Sequence, residues 1–152
     1  MAFHFSLGAL LRLRESLERQ ELQKLQICAV NVARVRTDIE SLDAEIEAAQ
    51  REVFEQTATG ISGAELQMAA ISDGIRRQTR TSLLAKLAEF ELAWKKQQVR
   101  FAEARQRREI LSNLRQRQLA AYQLEWSRRE QQQIDELFLI RRGARASREA
   151  RD

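Results

Sequence analysis

No proline occurs in the 152 residues of this chain, and three of its five glycines, Gly60, Gly63 and Gly74, fall within one short window. Proline removes a backbone donor and collides with the preceding helical turn, and glycine weakens helix interiors by about 1 kcal/mol. The chain is therefore free to run as helix almost from end to end, with one place to turn. The expected fold is all-α: an antiparallel two-helix coiled-coil hairpin forming a single elongated domain over 1–152, with a short helical segment at the tip. Such a shape suits touching partners better than enclosing a substrate.

Composition agrees with that reading. Charged residues make up 32% of the chain and aromatic residues only 6%, and the dominant residues Arg, Glu, Gln, Leu and Ala all favour helix. The net charge of +4 is unevenly spread. Residues 1–56 carry 7 basic and 10 acidic side chains, and residues 57–152 carry 19 basic and 12 acidic. Arms of opposite sign favour pairing with each other, although screened surface charges add little individually. The basic excess of the second arm remains available to an acidic partner.

The hydrophobic rhythm defines the arms. Leu25, Cys28, Val32, Val35, Ile39, Leu42, Ile46, Ala49 and Val53 alternate spacings of three and four for four heptads, which is a coiled-coil seam. Leu10, Leu13 and Leu17 keep the same rhythm upstream, and the phase slips between Leu17 and Leu22, as at a stutter. The first helix is expected over about 6–57 with Ser6 as its N-cap. Some 50 residues at about 1.5 Å each give a rod of roughly 75 Å.

The segment Thr57–Gly63 reads as a turn. The tip, 58–78, is expected to hold a short helix from Ser62 to about Gly74, with Leu66, Ala69 or Ala70, Ile71 and Ile75 on one side. The second helix is expected over about 79–142, with Leu83, Leu87, Phe90, Trp94, Phe101, Ala104, Leu111, Leu114 and Ala121 near one face. Gln97 and Arg108 interrupt that face. The seam continues through Leu124, Ile134 and Leu137 or Phe138, and Gly143 ends the helix. A frayed tail over 143–152 follows.

The residues for catalysis or metal binding are nearly absent. His4 is the only histidine and Cys28 the only cysteine, so no nitrogen or sulfur cluster can hold zinc. A Ser-His-Asp triad would have to use His4, beside a terminus with no pocket to exclude water. The glycines do not form a phosphate-binding loop. No enzyme activity and no cofactor is expected. Cys28 lies on the seam and reads as a small core residue, which fits a reducing compartment. No apolar run approaches the roughly 20 residues that span a bilayer. The apolar start, Met1–Leu13, is soon interrupted by Arg14 and Glu15 and lacks a small-residue cleavage site, so no secretory signal is expected.

Three surfaces have the chemistry to meet partners. The run Arg76–Arg117 holds 12 basic and 4 acidic residues and reads either as a solvated face or as a dock for an acidic surface. The aromatic residues are not interleaved as a single-strand stacking platform requires. Tyr122 and Trp126, one turn apart, either cover the N-terminal Phe3–Leu11 segment or stand as an exposed anchor. Leu66, Ile71 and Ile75 at the tip either fold back or form an apolar partner patch.

The opening Phe3, Phe5, Leu7, Leu10, Leu11, Leu13, Arg14 resembles the start of the flagellar export protein family FliJ, with alternating phenylalanines, then leucines and an arginine. Arg129, Glu130, Ile134, Asp135 and Glu136 are similar to that family's closing signature. Chain length, absence of proline and the position of the break also agree. The resemblance implies a cytoplasmic stalk and adaptor of the type III export apparatus, associated with the membrane only peripherally. It implies three partners: the hexameric export ATPase (FliI-like), the cytoplasmic domain of the export gate (FlhA-like), and substrate chaperones. The ATPase-facing residues would be Phe3, Leu7, Leu10, Leu11, Arg14, Ile134, Asp135 and Glu136, paired at the open end of the hairpin. The gate-facing residues would be Leu66, Ile71 and Ile75. Other readings of the same heptads are the equivalent stalk of a virulence-type injectisome and a generic oligomeric coiled-coil scaffold. A basic nucleic-acid-binding helix is a further reading, whose binding would fall steeply with salt.

Overall fold

The computed structural model describes residues 3–149, with side chains described through residue 145. Two α-helices account for nearly all of it: α1, Gly8–Thr59, and α2, Gly63–Glu149. No strand occurs among the described residues. The two helices pack on each other as an all-α helical hairpin, which the proline-free sequence permits.

The turn is built by local chemistry. The Thr59 hydroxyl donates to the Gln56 carbonyl (3.1 Å), an acceptor that the helix end leaves open, and the Thr57 hydroxyl donates back to the Val53 carbonyl (2.6 Å) one turn earlier. Gly60 then adopts φ 102°, a left-handed conformation that glycine takes at little steric cost. Ser62 and Glu65 restart the helix as a capping box. The Glu65 N–H donates to Ser62 Oγ (3.2 Å), while the Ser62 N–H donates to Glu65 Oε2 (2.9 Å). These bonds from Ser62 hold the Glu65 carboxyl below its ordinary pKa.

Three boundaries differ from the sequence reading. The first α-helical bond runs from Leu11 N–H to the Leu7 carbonyl, and Gly8 N–H closes a tight turn on the Phe5 carbonyl (3.0 Å). The cap position therefore falls on Leu7, not Ser6, because burial of the Phe5 side chain fixes how the chain enters the helix. The tip helix does not end near Gly74; α2 runs through it unbroken from Gly63. Helix propagation is cooperative, and the Arg77–Asp73 pair (2.7 Å) bridges the weak point. Gly143 likewise lies inside α2, which extends to Glu149. The last part of the expected tail, 150–152, lies outside the described residues.

The chain divides into two compact units. In the unit comprising residues 16–105, the seam of α1 buries Val32, Val35, Ile39 and Ile46. Cys28 is half-buried on the same seam. Three cross-helix bonds record the antiparallel pairing: Asp43 with Arg80, Arg36 with Glu91, and Glu21 with Gln97. As one number falls its partner's rises. Gln97, only 6% exposed, occupies a seam position and donates Nε2 to both the carbonyl (3.1 Å) and the carboxylate (2.5 Å) of Glu21. A satisfied polar group in an apolar seam favours one register over its neighbours. Lys24 first, and Gln97 second, hold the Glu21 carboxyl below its usual value.

In the unit comprising residues 1–15 and 106–152, Phe5 and Leu11 are buried. The ring of Phe3 lies 5.7 Å from that of Tyr122, and Tyr122 stacks on Trp126 at 6.4 Å.

Candidate functional site

With no cluster of three or more His, Cys, Asp or Glu side chains placed to hold a metal among the described residues, the surfaces with evident potential are apolar and exposed. They lie at two places, one in each unit.

The first is the unpaired part of α2. Among the described side chains, Tyr122 is the last half-buried one of the helix. Every residue from Gln123 to Arg145 is exposed. This overhang, 123–149, measures roughly 40 Å at 1.5 Å per residue. Trp126 lies near its start, partly exposed and donating Nε1 to Glu130 (2.8 Å). Further on, Leu137, Phe138, Leu139 and Ile140 are all 57–67% exposed. Four consecutive residues at about 100° steps spread apolar surface over roughly 300° of the helix circumference. A seam uses only two positions in seven. Leu124, Ile134, Leu137 and Phe138 are therefore not a continuation of the seam, because each of them is exposed.

The expected ATPase-facing residues separate accordingly. Leu11 is buried and the ring of Phe3 packs at a tilt against that of Tyr122, so both hold the N-terminal segment in place. Arg14 is half-buried, whereas Leu7 and Leu10 are partly exposed. Ile134 is exposed, Asp135 accepts a bond from Gln131 Nε2 (3.0 Å), and Glu136 is exposed. The structure does not bring the Ile134–Glu136 stretch against the N-terminal leucines. Of the two readings of Tyr122 and Trp126, each residue satisfies one: Tyr122 covers the N-terminal segment and Trp126 stands partly exposed.

The second place is the turn end of the unit 16–105. Ile71 and Ile75 are exposed on one face of α2, and Met68 joins them one turn earlier. The spacing 68, 71, 75 makes a continuous row. Leu66 does not belong to it. Residues 66, 69 and 73 recur on the seam side, roughly 160° around the helix from Ile71. There Leu66 lines a cleft with Ala49, Val53, Ala69 and Ala70. The expected one-sided patch of Leu66, Ile71 and Ile75 is thus two surfaces. Sequence reasoning passed over Met68, and also Phe54, the most exposed large apolar side chain among the described residues at 78%. Neither fits the seam rhythm, and that misfit was the available signal.

A model of the family described as Flagellar FliJ protein matches residues 3–148. Among curated proteins and among solved structures, none matches.

Proposed function

The chain belongs to the flagellar FliJ family, and from that membership we propose that it serves as a non-enzymatic stalk and adaptor in type III protein export. In this reading the open end of α2 engages the hexameric export ATPase and promotes its ring assembly. The turn end meets the cytoplasmic domain of the export gate, and the arms are available to substrate chaperones. No helix among the described residues is long and apolar enough to cross a membrane, so attachment to the export apparatus would be through these partners.

One observation carries the ATPase assignment: the apolar girdle Leu137–Ile140 on the unpaired end of α2. A flat groove covers about half of a helix. A girdle exposed on nearly every side is desolvated fully only by a partner that surrounds it, as the central opening of a ring does. Arg141, Arg142 and Arg145 follow the girdle at once and would meet an acidic rim, where charge complementarity speeds and orients docking.

The test is a pull-down of purified export ATPase with this chain, read together with the ATPase rate. The wild-type chain is expected to retain the ATPase and raise its rate. A Leu137→Asp/Phe138→Asp variant is expected to keep its helical circular dichroism yet lose both effects. Retention and stimulation unchanged in that variant would remove the girdle from the proposal. No retention by the wild-type chain would remove the ATPase role itself.

A further inference from the structure

The overhang of α2 carries charges that its own helix cannot neutralise. Residues 135–142 read Asp, Glu, Leu, Phe, Leu, Ile, Arg, Arg: acids first, then apolar residues, then bases. All of them are exposed. On a helix, side chains meet at spacings of three and four. At those spacings Asp135 reaches Gln131, Gln132, Phe138 and Leu139, none of them basic. Arg142 reaches Phe138, Leu139, Arg145 and Ala146, none of them acidic. The bond that Asp135 accepts from Gln131 (3.0 Å) comes from a neutral amide, so its charge stays uncancelled.

Turned end for end, the same segment shows bases first and acids last. A second copy laid antiparallel therefore meets it with opposite sign at each end and apolar surface between. With the midpoint between Phe138 and Leu139, Asp135 falls opposite Arg142 of the second copy, and Phe138 falls opposite its Leu139. At about 100° per residue, Asp135, Phe138, Leu139 and Arg142 lie within an arc of roughly 100°, so they share one face. A parallel copy would set Asp135 against Asp135 and Arg142 against Arg142, and such like-charge contacts are costly.

We propose that this face docks a second copy of the chain, antiparallel, in a two-fold dimer. Phe138 and Leu139 supply the apolar contact, and an Asp135–Arg142 pair closes each end. In this register residue 145 lies opposite residue 132, so pairing stays within the exposed stretch that begins at Gln123. The span 132–145 is about 21 Å of helix, and one face of it buries less than the roughly 800 Å² per partner of a standard interface. The dimer is accordingly reversible, with a dissociation constant of about 10–100 μM. A two-fold contact is closed on itself and stops at two copies. The proposal concerns the chain alone and does not rest on the ATPase reading. Leu137 and Ile140, on the opposite face of the helix, are left uncovered.

Sedimentation velocity of the full chain, over about 5–500 μM and at two salt concentrations, tests the pairing. The wild-type chain is expected to pass from monomer to dimer, less readily at the higher salt. Asp135→Arg and Arg142→Asp each set like charges at both ends, and each is expected to weaken the dimer at least about tenfold. Asp135→Arg/Arg142→Asp in one chain exchanges the signs and is expected to restore it. An equal mixture of the two single variants is expected to pair as well. A wild-type chain that stays monomeric, or that forms assemblies larger than a dimer, overturns the proposal. So do single variants that dimerise like the wild type, or a double variant that stays as weak as the single ones. Should a single variant lose helix by circular dichroism, Leu139→Gln decides: undiminished dimerisation overturns the proposal, and weakened dimerisation supports it.

Discussion

Arg80 holds Asp43 through two N–H···O bonds, Nε to Oδ1 at 2.5 Å and Nη2 to Oδ2 at 3.2 Å, across 37 positions of sequence. The bidentate fork fixes the relative position of the two helices more narrowly than a single ion pair would. Both side chains are two-fifths exposed, so solvent screens their attraction and the pair contributes more to register than to stability. Asp43→Asn is expected to lower the melting temperature slightly, and the loss should shrink as salt is raised. Arg80→Lys should behave like Asp43→Asn, since lysine cannot form the fork. A double-mutant cycle read by thermal melting checks both.

Acid should loosen the hairpin in a defined direction. The carboxyls of Glu21, Asp43 and Glu65 are all held below their ordinary values, chiefly by hydrogen bonds from Lys24, Arg80 and Ser62 respectively. A carboxyl whose pKa is depressed on folding contributes stability above its unfolded pKa and loses it as pH falls through the folded value. The melting temperature is therefore expected to be flat above about pH 5 and to fall as pH drops through about 4 and below. Replacing all three carboxylates by their amides should flatten that decline, as a pH series of thermal melts would register.

The same substitution should have opposite consequences in the two parts of the molecule. Ile39 is buried in the seam, whereas Leu137 stands exposed on the overhang. Ile39→Asp places an unpaired charge in an apolar seam and is expected to cost about 3 kcal/mol or more, with visible loss of helix by circular dichroism. Leu137→Asp is expected to change folding stability by less than about 0.5 kcal/mol. Equal losses in denaturant titration would mean that the overhang is packed in solution.

Two glycines should respond oppositely to alanine. Gly60 holds φ 102°, and a Cβ there would meet nothing within 4 Å, so the cost is carried by the backbone alone. Gly60→Ala is expected to destabilise by about 1–2 kcal/mol. Gly74 sits inside α2 with equally open space. Gly74→Ala is expected to stabilise by about 0.5–1 kcal/mol. Thermal melting of the two variants, run side by side, tests both signs.

Much of the hairpin could be read from residues alone. The α1 seam from Val32 to Ile46 follows strictly from spacing, because a helix paired on one side leaves a clear period in its sequence. The turn was legible in the glycine-bearing segment Thr57–Gly63, whereas the Ser62–Glu65 capping box emerged only with the structure. What spacing could not disclose was where pairing stops. Leu137 and Phe138 continue a seam-like rhythm, yet both stand exposed. Only the unbroken exposure of α2 from Gln123 to Arg145 reveals that pairing has ended. Gly74 and Gly143 were over-weighted as breaks, since a glycine costs one residue's propensity while neighbours on both sides keep the helix going. The tip patch failed for a geometric reason: Leu66 and Ile71 are five residues apart, which puts them on opposite faces of the helix.

The short link between Thr59 and Gly63 has a consequence for how a chain of this kind can change over time. In the unit 16–105, the opposite number of each seam residue is fixed by counting outward from that link along both arms. An insertion in one arm alone would leave every level beyond it mismatched, as a zip fails above a missing tooth. Length can then be gained or shed only in matched seven-residue blocks at facing levels. The overhang beyond Tyr122 is exempt from this bookkeeping, and there insertions and deletions would be free to accumulate.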